Sequence, residues 1–358
     1  MSAQPPPPPP ADSGPPPEMA VAELLHGYVT TQLIYVAARL ALADALRDGP
    51  LGADDLARAV GADPAALRRV MRGLVALGLF AADAEGRYTP TRLGACLRSD
   101  AWVPLRDMVL YSGDLAYRAY GELLHAVRTG ETAFEHRFGL GLFDYLAADA
   151  DIGGHFDAFM TVLAGVIAAA VLDTYDFAAA RTVVDVGGGR GTFLAMLLDA
   201  HPHLTGVLFD APPVVAGAER HLADAGVRDR CALVAGDFFA AVPAGGDVYV
   251  LSRIIHDWDD ARAVCILENC RRAMPPAGRL ILVETLLPER VAPEGALPTV
   301  IREDLAMLAM TGGRERTETE YRALLAAAGF APPRVLQTAA PLPGLGGWAI
   351  IEATAGPA

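Results

Sequence analysis

The spacing of apolar and polar positions divides the chain into two regions. From residue 18 to about residue 178 the apolar side chains recur at helical intervals, starting with an apolar-rich stretch at residues 19–46. After Asp176 the pattern changes to short β-branched runs that alternate with helical segments of about ten residues or more. The first region therefore predicts a mainly helical domain, and the second predicts an α/β domain.

Seven strands are predicted in the α/β region. They lie at residues 182–186, 206–209, 231–234, 247–251, 279–284, 334–337 and 348–352. Because helices separate the first five, we expect these strands to be parallel and joined by right-handed crossovers in a doubly wound sheet. The last two follow a predicted helix at residues 318–328 and are compatible with an antiparallel edge.

A smaller unit within the helical region resembles a winged helix-turn-helix. Asp63 is a natural N-cap, Pro64 fits the first helical turn and Gly78 fits the C-terminal cap. Two functions are open for this unit, DNA recognition and a packing or dimerisation scaffold. Its parts are a first helix, a second helix and a short strand turn, at residues 54–60, 65–78 and 85–89.

The charge balance favours the scaffold. The chain has 29 basic and 43 acidic residues, and the net charge of −14 opposes attraction to nucleic acid or anionic lipid. The segment from Val36 to Asp100 has nine arginines and eight acidic residues, and this balance does not produce a basic surface. We therefore expect neither a nucleic-acid partner nor a membrane partner.

Residues 1–17 contain nine prolines, including the run at residues 5–10. Such a segment buries almost no apolar surface, so it is predicted to be a disordered tail of polyproline II character. An SH3-type ligand is the alternative, although the run lacks a flanking arginine. The predicted division is this tail, a helical domain at residues 18–177 and an α/β domain at residues 178–358.

Composition excludes several mechanisms and indicates a compartment. All 29 basic residues are arginine, so neither a P-loop nor a Schiff-base or pyridoxal-phosphate site has the lysine that it needs. The four cysteines are scattered without a CxxC pair, as expected for free thiols in a reducing compartment. No signal-peptide pattern is seen, and no apolar run reaches the ~18–20 residues of a membrane span. These features predict a cytoplasmic location.

The strongest local motif is a buried strand that runs into glycines and then into a helix. It reads VVDVGGGRGTFL at residues 183–194. Glycines at this place let a ligand approach the backbone at a helix N-terminus. A dinucleotide fingerprint needs glycine where Thr192 stands, so the loop favours a nucleotide-like ligand without a pyrophosphate.

Acidic residues end the next two strands. The carboxylate of Asp210 suits both hydroxyls of a ribose, with capping of the next helix as the alternative. Asp237 and Phe238 offer an acceptor for an exocyclic amine and an aromatic face for a purine. Ligands of open α/β sheets bind at the carboxyl ends of strands, so these residues predict one shared site.

Five segments in this order resemble the S-adenosylmethionine-dependent O-methyltransferases of the plant caffeate and bacterial polyketide type. They are DVGGGRG at 185–191, LFDAPPVV at 208–215, GDFF at 236–239, HDWDD at 256–260 and GGRERTETEY at 312–321. The likeness covers about residues 20–354. It implies a Rossmann-like methyltransferase domain behind a winged-helix domain for dimerisation and a substrate lid. It also implies S-adenosyl-L-methionine as cofactor, an aromatic small-molecule substrate and a homodimer formed through the N-terminal domain.

The resemblance assigns seven residues to the cofactor site, from the methionine part through the ribose to the adenine. Ser252 falls where the family has a further cofactor contact, at the end of the fourth strand. The others are Gly187, Gly188 and Gly189 for methionine, Asp210 for the ribose, and Asp237 with Phe238 for adenine.

Methyl transfer to a phenol needs a base for the phenolic proton, and a neutral imidazole, with an unperturbed pKa near 6.5, suits that step. His256 lies just past the fourth strand, and in the family the histidine of HDW is the general base. The family pattern nominates Glu284 and Glu315 as the carboxylates that orient it. The alternatives are a histidine at a helix N-terminus and two satisfied or solvated glutamates.

An acceptor pocket is expected between the last helix of the first domain and helices of the second. Phe156, Phe159 and Met160 lie on the former, and Asp304 and Met307 lie on the latter. Aromatic and methionine side chains suit a flat aromatic acceptor, with core packing as the alternative for each residue. No metal is expected, because the sequence has no clear acidic metal triad.

One hypothesis leads over two alternatives. The leading one is methylation of a phenolic hydroxyl on a polyketide-like natural product. A second is that the fold serves a cofactor-dependent hydroxylation or decarboxylation, which the presence of His256 and Glu315 disfavours. The third is a ligand-sensing winged-helix regulator, which the net negative charge disfavours.

Overall fold

The computed structural model describes residues 16–101, 103–292, 298–339 and 347–356. The chain divides into two compact units between Gly113 and Asp114. Most of the proline-rich segment lies outside the described residues. Its last residue, Pro17, is the first residue of a helix, where its missing N–H costs no hydrogen bond.

In its described residues the first unit contains seven helices and a small antiparallel sheet of order β1–β3–β2. The predicted helical stretch at residues 19–46 is broken into three helices, because His26 ends the first and Ala41 adopts a left-handed conformation with φ of 50°. The helices are α1 (Pro17–Leu25), α2 (Gly27–Arg39), α3 (Leu42–Ala45), α4 (Ala53–Val60), α5 (Pro64–Ala76), α6 (Arg92–Ala95) and α7 (Arg106–Tyr111). The strands are β1 (Leu51–Gly52), β2 (Phe80–Ala82) and β3 (Arg87–Pro90).

The two helices and the strand turn predicted from residues 54–89 are present as α4, α5 and the β2–β3 hairpin. The Asp63 side chain accepts a hydrogen bond from the Ala66 N–H at 2.8 Å, which confirms the predicted N-cap. Helix α5 ends slightly earlier than predicted, with Leu77 as C-cap. Gly78 follows in the left-handed conformation, with φ of 75°, that suits glycine beyond a helix end.

The second unit is built on a seven-stranded sheet of order β11–β12–β8–β7–β4–β5–β6. A separate two-stranded parallel pair joins β9 to β10. The strands are β4 (Thr182–Val186), β5 (Thr205–Asp210), β6 (Cys231–Ala235), β7 (Val248–Ser252), β8 (Arg279–Glu284), β9 (Leu286–Leu287), β10 (Arg316–Thr317), β11 (Arg334–Gln337) and β12 (Ala349–Thr354).

The sheet has the predicted doubly wound, Rossmann-like topology. Strands β4, β5, β6, β7 and β8 are parallel, while β12 runs antiparallel to β8 and to β11, which confirms the antiparallel edge. All seven predicted strands lie within two residues of their predicted bounds. The parallel arrangement brings the carboxyl ends of β4 to β8 to one edge of the sheet.

Ten helices lie in the described part of the second unit, and the first five precede the sheet. They are α8 (Tyr117–Tyr120), α9 (Leu123–Thr129), α10 (Ala133–Phe138), α11 (Leu142–Ala148), α12 (Ala150–Thr174), α13 (Thr192–Ala200), α14 (Pro212–Asp224), α15 (Asp260–Ala273), α16 (Thr299–Met310) and α17 (Glu318–Ala327). A π-helical segment at Ser112–Ala116 precedes them, and short 3-10 turns occur at Arg228–Arg230 and Ile255–Asp257.

The boundary between the units differs from the prediction at residue 177. Helices α8 to α12 group with the sheet and not with α1 to α7. The reason is packing: Ile167, Ala168 and Val171 of α12 are buried in the same core cluster as Phe193 and Leu194 of α13. Helical periodicity shows that α12 forms, but it does not show which neighbour covers its apolar side.

Helix α12 also contradicts the expectation that no segment is long and apolar enough to span a membrane. It has 25 residues, and an 18-residue window within it has a mean hydropathy of 1.9, so it passes that test by length and composition alone. Part of its apolar character is explained by its contact with the core of the second unit.

Two apolar layers cover the faces of the large sheet, because successive strand residues point to opposite sides. Val183 belongs to the layer that contains α12 and α13, and Val184 belongs to the layer that contains α15 and α17. Both valines are fully buried. The sheet is thus covered on both sides. The loops of the candidate site follow the carboxyl ends of its parallel strands, which lie at one edge.

Candidate active site

The first two glycines of the loop after β4 have no room for a side chain. Gly187 has φ of 72°, and a Cβ atom there would lie 2.6 Å from Ile254 Cδ1. A Cβ at Gly188 would lie 2.4 Å from Leu208 Cδ1 and 2.5 Å from Asp185 Oδ2. The loop is therefore a bare backbone cradle at the N-terminus of α13, which fits a ligand that approaches the main chain closely.

Asp210 lies at the end of β5, next to this cradle. Its Oδ2 accepts the Gly189 N–H at 2.8 Å, and its Oδ1 accepts the Ala211 N–H at 2.7 Å. Ala211 is the N-cap of α14 and that helix has no side-chain cap, so the helix-capping alternative for Asp210 is not observed. Burial raises the pKa of Asp210. Each carboxylate oxygen keeps a second lone pair, which leaves acceptors for a ribose diol.

Asp185 lies beneath the cradle and is a site residue that the predictions did not include. Its side chain is buried, and Oδ2 has no hydrogen-bond partner among the described residues. Burial and the nearby charge of Asp210 raise the pKa of Asp185 to about 7. A buried carboxyl without a partner is costly, so this atom is available to a donor on a bound ligand.

Aromatic side chains line the loop after β6. The Phe238 and Phe239 rings stand edge-on to Trp258, with centroids 5.9 and 4.8 Å away. Asn269 donates to the carbonyls of both phenylalanines, at 2.7 and 2.9 Å, and fixes the loop. Asp237 is exposed and its Oδ1 accepts the Phe239 N–H at 2.8 Å.

The predicted cofactor residues thus lie at the carboxyl ends of four adjacent strands. In sheet order the segments are residues 237–238 after β6, Asp210 at the end of β5, residues 187–189 after β4, and Ser252 at the end of β7. A cradle without side chains, a carboxylate and an aromatic wall follow one another along this edge. The donor set fits an elongated nucleoside whose tail reaches the glycine loop.

His256 lies beside this edge, on the 3-10 turn Ile255–Asp257. The imidazole is buried, with Nδ1 at 2.7 Å from Glu315 Oε1. Glu284, at the end of β8, accepts the Ile255 N–H at 3.0 Å through Oε1. Potential ligand atoms of His256, Glu284 and Glu315 lie within 4.8 Å of one another. The structure therefore brings the three predicted catalytic residues into one cluster.

The electrostatics of the cluster change the protonation expected for His256. Burial and the charge of Arg253 lower its pKa, but Glu315, Asp257 and Glu284 raise it more, and the result is a pKa raised to about 9. The expectation of a largely neutral imidazole, taken from an unperturbed value, is therefore wrong for the free protein. The reason is that three acidic groups converge on one buried ring.

The two glutamates differ in their environments. Burial raises the pKa of Glu284 to about 7. Burial also opposes ionisation of Glu315, but the charge of His256 and its hydrogen bond lower the pKa of that carboxyl overall. At neutral pH Glu315 is thus the ionised partner of His256, and Glu284 exchanges a proton near neutrality. Both Oε2 atoms are buried without a hydrogen-bond partner among the described residues.

The same three side chains have a spacing that suits a divalent cation, which the search for acidic triads in the sequence did not find. Two atoms of these side chains, His256 Nδ1 and Glu315 Oε1, are engaged with each other at hydrogen-bond distance. A metal ion bound through those two atoms would have to replace that bond.

Arg316 fixes the turn of His256 to the segment of Glu315, a role that no sequence motif indicates. Its side chain is fully buried. It donates to the carbonyls of Ile255 and Trp258 at 3.1 and 2.8 Å, and to Asp260 Oδ1 at 2.8 Å. A planar guanidinium satisfies these acceptors at once.

Arg253 was also missed. It has φ of 56°, one of two left-handed non-glycine residues among the described part of the chain, which costs about 1–2 kcal/mol. Its Nη1 donates to Thr285 Oγ1 at 3.4 Å and to Glu303 Oε2 at 3.3 Å. Arg253 therefore lies between the end of β8 and α16, three residues before His256.

The predicted acceptor residues occupy two places. One place is on α12, where Phe156, Phe159 and Met160 lie close to Asp157 in the sequence. Asp157 Oδ2 accepts a hydrogen bond from Arg190 Nη2 at 2.8 Å, so this part of α12 lies beside the glycine loop. On α16, Asp304 Oδ1 accepts the Glu315 N–H at 3.0 Å and supports the catalytic cluster directly. Met307 lies one turn further along the same helix.

Family models match both units of the chain. A model described as an O-methyltransferase domain matches residues 120–331, and one described as an O-methyltransferase dimerisation domain matches residues 22–100. The chain is 44% identical over 331 residues to phenazine O-methyltransferase PhzM of Lysobacter antibioticus, covering 92% of this chain and 94% of that protein. It is 37% identical over 315 residues to aclacinomycin 10-hydroxylase RdmB of Streptomyces purpurascens, covering 86% and 83%.

Solved structures agree with these matches. LaPhzM superposes with a TM-score of 0.88 at 42% identity, over 95% of this chain and 99% of that one. The O-methyltransferase NcsB1 from neocarzinostatin biosynthesis superposes with a TM-score of 0.77 at 36% identity, over 91% and 96%. That structure contains S-adenosylmethionine and 2-hydroxy-5-methyl naphthoic acid.

Proposed function

The chain belongs to the S-adenosylmethionine-dependent O-methyltransferases of bacterial natural-product biosynthesis, and on that premise we propose that it methylates a phenolic hydroxyl of an aromatic, polyketide-like compound with His256 as general base. The observation that carries this proposal is the buried His256–Glu315 pair, which lies beside the sheet edge that holds the predicted cofactor residues. The naphthoic acid in the NcsB1 complex supports an aromatic acceptor.

The proposed cofactor residues would bind and orient S-adenosylmethionine. S-adenosylmethionine supplies a methyl group on a positively charged sulfur. Asp210 would hold the ribose hydroxyls, and the Phe238 ring would face the adenine. The bare backbone at residues 187–189 would admit the amino-acid tail, with the unpartnered Asp185 Oδ2 as an acceptor for an N–H donor.

His256 would take the phenolic proton on Nε2. Among the described residues this atom has no hydrogen-bond partner, and Asp257 Oδ1 is 3.8 Å away. Nδ1 would donate to Glu315, which stabilises the imidazolium as it forms. A base whose pKa is about 9 is close to that of a phenol, near 10, so the proton transfer is nearly balanced.

Glu284 and Arg316 would act as positioning residues. Glu284 accepts a hydrogen bond from the Ile255 N–H, and Arg316 donates one to the Ile255 carbonyl, so both backbone groups of the residue before His256 are fixed. Phe156, Phe159, Met160, Asp304 and Met307 remain the proposed walls of the acceptor pocket. A rigid turn of this kind keeps the imidazole aligned with the acceptor oxygen.

Three further assignments belong to this proposal. The first unit, which carries the dimerisation domain, would form a homodimer through its helices, with a winged-helix arrangement of α4, α5 and β1 to β3. The protein would have no nucleic-acid partner, in line with its net charge of −14. It would act in the cytoplasm, where free thiols persist.

The proposal is tested by methyl transfer from S-adenosylmethionine with an isotopically labelled methyl group to a panel of phenols, naphthols and hydroxynaphthoates. The expected result is product with the label on a phenolic oxygen. The relative named as a hydroxylase makes a second reaction class worth detecting. A product with a new hydroxyl group and no label would contradict methyl transfer and favour hydroxylation.

A further inference from the structure

Arg190 is the charged residue of the glycine loop at residues 187–191, and the reaction proposed above does not use it. Its Nη2 donates to Asp157 Oδ2 at 2.8 Å. Asp157 lies on α12, next to Phe156 in the sequence and two residues before Phe159. The pair therefore joins the loop proposed to receive the cofactor to the helix proposed to line the acceptor pocket.

Two carboxylates hold consecutive residues of this loop. Asp210, at the end of β5, accepts the Gly189 N–H at 2.8 Å, and Asp157 accepts a hydrogen bond from the side chain of the next residue. Burial and, after it, the charge of Asp157 raise the pKa of Asp210, so the two carboxylates lie within electrostatic reach of each other. A change in the backbone at residues 189–190 therefore affects α12 as well as β5.

The residues on either side of Arg190 are glycines in left-handed conformations. Gly189 has φ of 60° and Gly191 has φ of 80°. Glycine has more conformational freedom than other residues, so a cofactor tail in contact with this backbone restricts it. Once the backbone is restricted, Arg190 loses less entropy when it pairs with Asp157, and the ion pair becomes more stable.

The part of α12 that carries Asp157 has little buried surface. The buried residues of α12 all lie in its last third, and they are Ile167, Ala168, Ala170 and Val171. Just before them, Gly165 faces the start of α13, where a Cβ would lie 3.8 Å from Thr192 Cγ2. Segments with few buried contacts open most easily, so a contact at Asp157 has its largest effect on residues 152–160.

We propose that Arg190 and Asp157 are positioning residues that link cofactor binding to the acceptor site. A bound cofactor orders the glycine loop, the ordered loop holds Arg190 against Asp157, and this contact stabilises the turns of α12 that carry Phe156, Phe159 and Met160. The cofactor therefore completes the acceptor site before the acceptor binds. This inference rests on the proposed function, because it uses the cofactor loop and the acceptor walls assigned there.

The test is hydrogen–deuterium exchange of the full-length protein, freed of co-purified cofactor, with and without saturating S-adenosylhomocysteine. Mass spectrometry follows exchange in peptides that cover residues 152–160 and residues 187–191. The variants are Arg190→Gln, Arg190→Lys and Asp157→Asn, and the control is Arg220→Gln, which removes an exposed ion pair on α14. Exposed ion pairs add little to stability, so each variant should fold like the wild type. The measurement needs neither an acceptor nor turnover.

In the wild type, S-adenosylhomocysteine should slow exchange in the loop and also at residues 152–160. The slowing at residues 152–160 should be about two- to fivefold, the size that an exposed ion pair contributes. Arg190→Gln and Asp157→Asn should lose the slowing on α12 and keep the slowing in the loop. Arg190→Lys, which keeps the charge, should retain part of it on α12, and Arg220→Gln should retain all of it.

Two results would overturn the inference. One is a wild-type protein in which S-adenosylhomocysteine leaves exchange at residues 152–160 unchanged. The other is slowing on α12 that persists at full size in both Arg190→Gln and Asp157→Asn. Failure of methyl transfer to every acceptor, measured separately with labelled cofactor, would count against the proposed function and not against the link between the loop and α12.

Discussion

His256 Nδ1 and Glu315 Oε1 lie 2.7 Å apart in a region where both side chains are buried. The two residues are 59 positions apart in the sequence and come from a turn after β7 and a loop after α16. Their contact raises the pKa of the imidazole and lowers that of the carboxyl. The free protein thus holds a charged pair that must release a proton before His256 can act as a base.

Replacing His256 by alanine should separate catalysis from cofactor binding. Because the imidazole is proposed to take the phenolic proton, His256→Ala should lower kcat by ~10² or more. The affinity for S-adenosylhomocysteine should stay nearly unchanged in calorimetric titration. His203→Ala, an exposed histidine, is the matched control and should retain activity. Nearly unchanged turnover in His256→Ala would mean that the acceptor oxygen ionises without this residue.

Removing the charge of Glu315 should move the pH dependence of catalysis downward. The negative charge of Glu315 raises the pKa of His256, and a glutamine amide keeps an acceptor for the Nδ1 proton without that charge. In Glu315→Gln the acid limb of kcat/KM should therefore shift to lower pH than in the wild type. Glu318→Gln, on the first turn of α17, is the control. A limb that stays in place would show that Glu315 does not set the ionisation of His256.

Filling the glycine cradle should damage both stability and cofactor binding. A Cβ at Gly188 would lie 2.4 Å from Leu208 Cδ1, so Gly188→Ala should lower the free energy of unfolding by about 1–3 kcal/mol. It should also weaken S-adenosylhomocysteine binding. Gly217→Ala is the control, because a Cβ there meets nothing within 4 Å. Equal thermal stability and equal affinity in the two variants would refute the conclusion that position 188 must be glycine for packing and cofactor binding.

Asp210 is expected to contribute mainly to cofactor affinity. Asp210→Ala removes the acceptors proposed for the ribose and the hydrogen bond from the Gly189 N–H. The affinity for S-adenosylhomocysteine should fall by roughly tenfold to a hundredfold, as for hydrogen bonds to a charged group. Asp199→Ala, exposed near the end of α13, should bind like the wild type. Unchanged affinity in Asp210→Ala would disprove the ribose assignment.

Local sequence patterns were sufficient for the strands and the glycine loop. The β-branched runs of the sheet are buried on both faces, so the pattern at residues 182–186 identifies β4 without knowledge of its neighbours. The glycine motif follows that strand directly and therefore fixes its own position at the sheet edge. The apolar side of α12 is a different case, because the neighbour that covers it is α13. The predicted boundary at residue 177 therefore does not coincide with the division of the chain between Gly113 and Asp114.

The electrostatics of the site could not be predicted in this way. The resemblance nominated His256, Glu284 and Glu315, but the pKa of His256 depends on how closely three acids approach one buried ring. The roles of Arg253 and Arg316 also come from tertiary contacts, with Glu303 in one case and with Trp258 and Asp260 in the other. No spacing along the chain reports such contacts.

His256 is proposed to act as a base from a protonated resting state, and the pH dependence of kcat/KM for labelled methyl transfer is the decisive test of this role. The neutral imidazole is required, so kcat/KM should rise about tenfold per pH unit below an acid limb near pH 9. His256→Ala should lose that limb. A wild-type limb near pH 6.5, the unperturbed range for histidine, would contradict the charged His256–Glu315 pair. A profile that is the same in wild type and His256→Ala would contradict the role of His256 as the base.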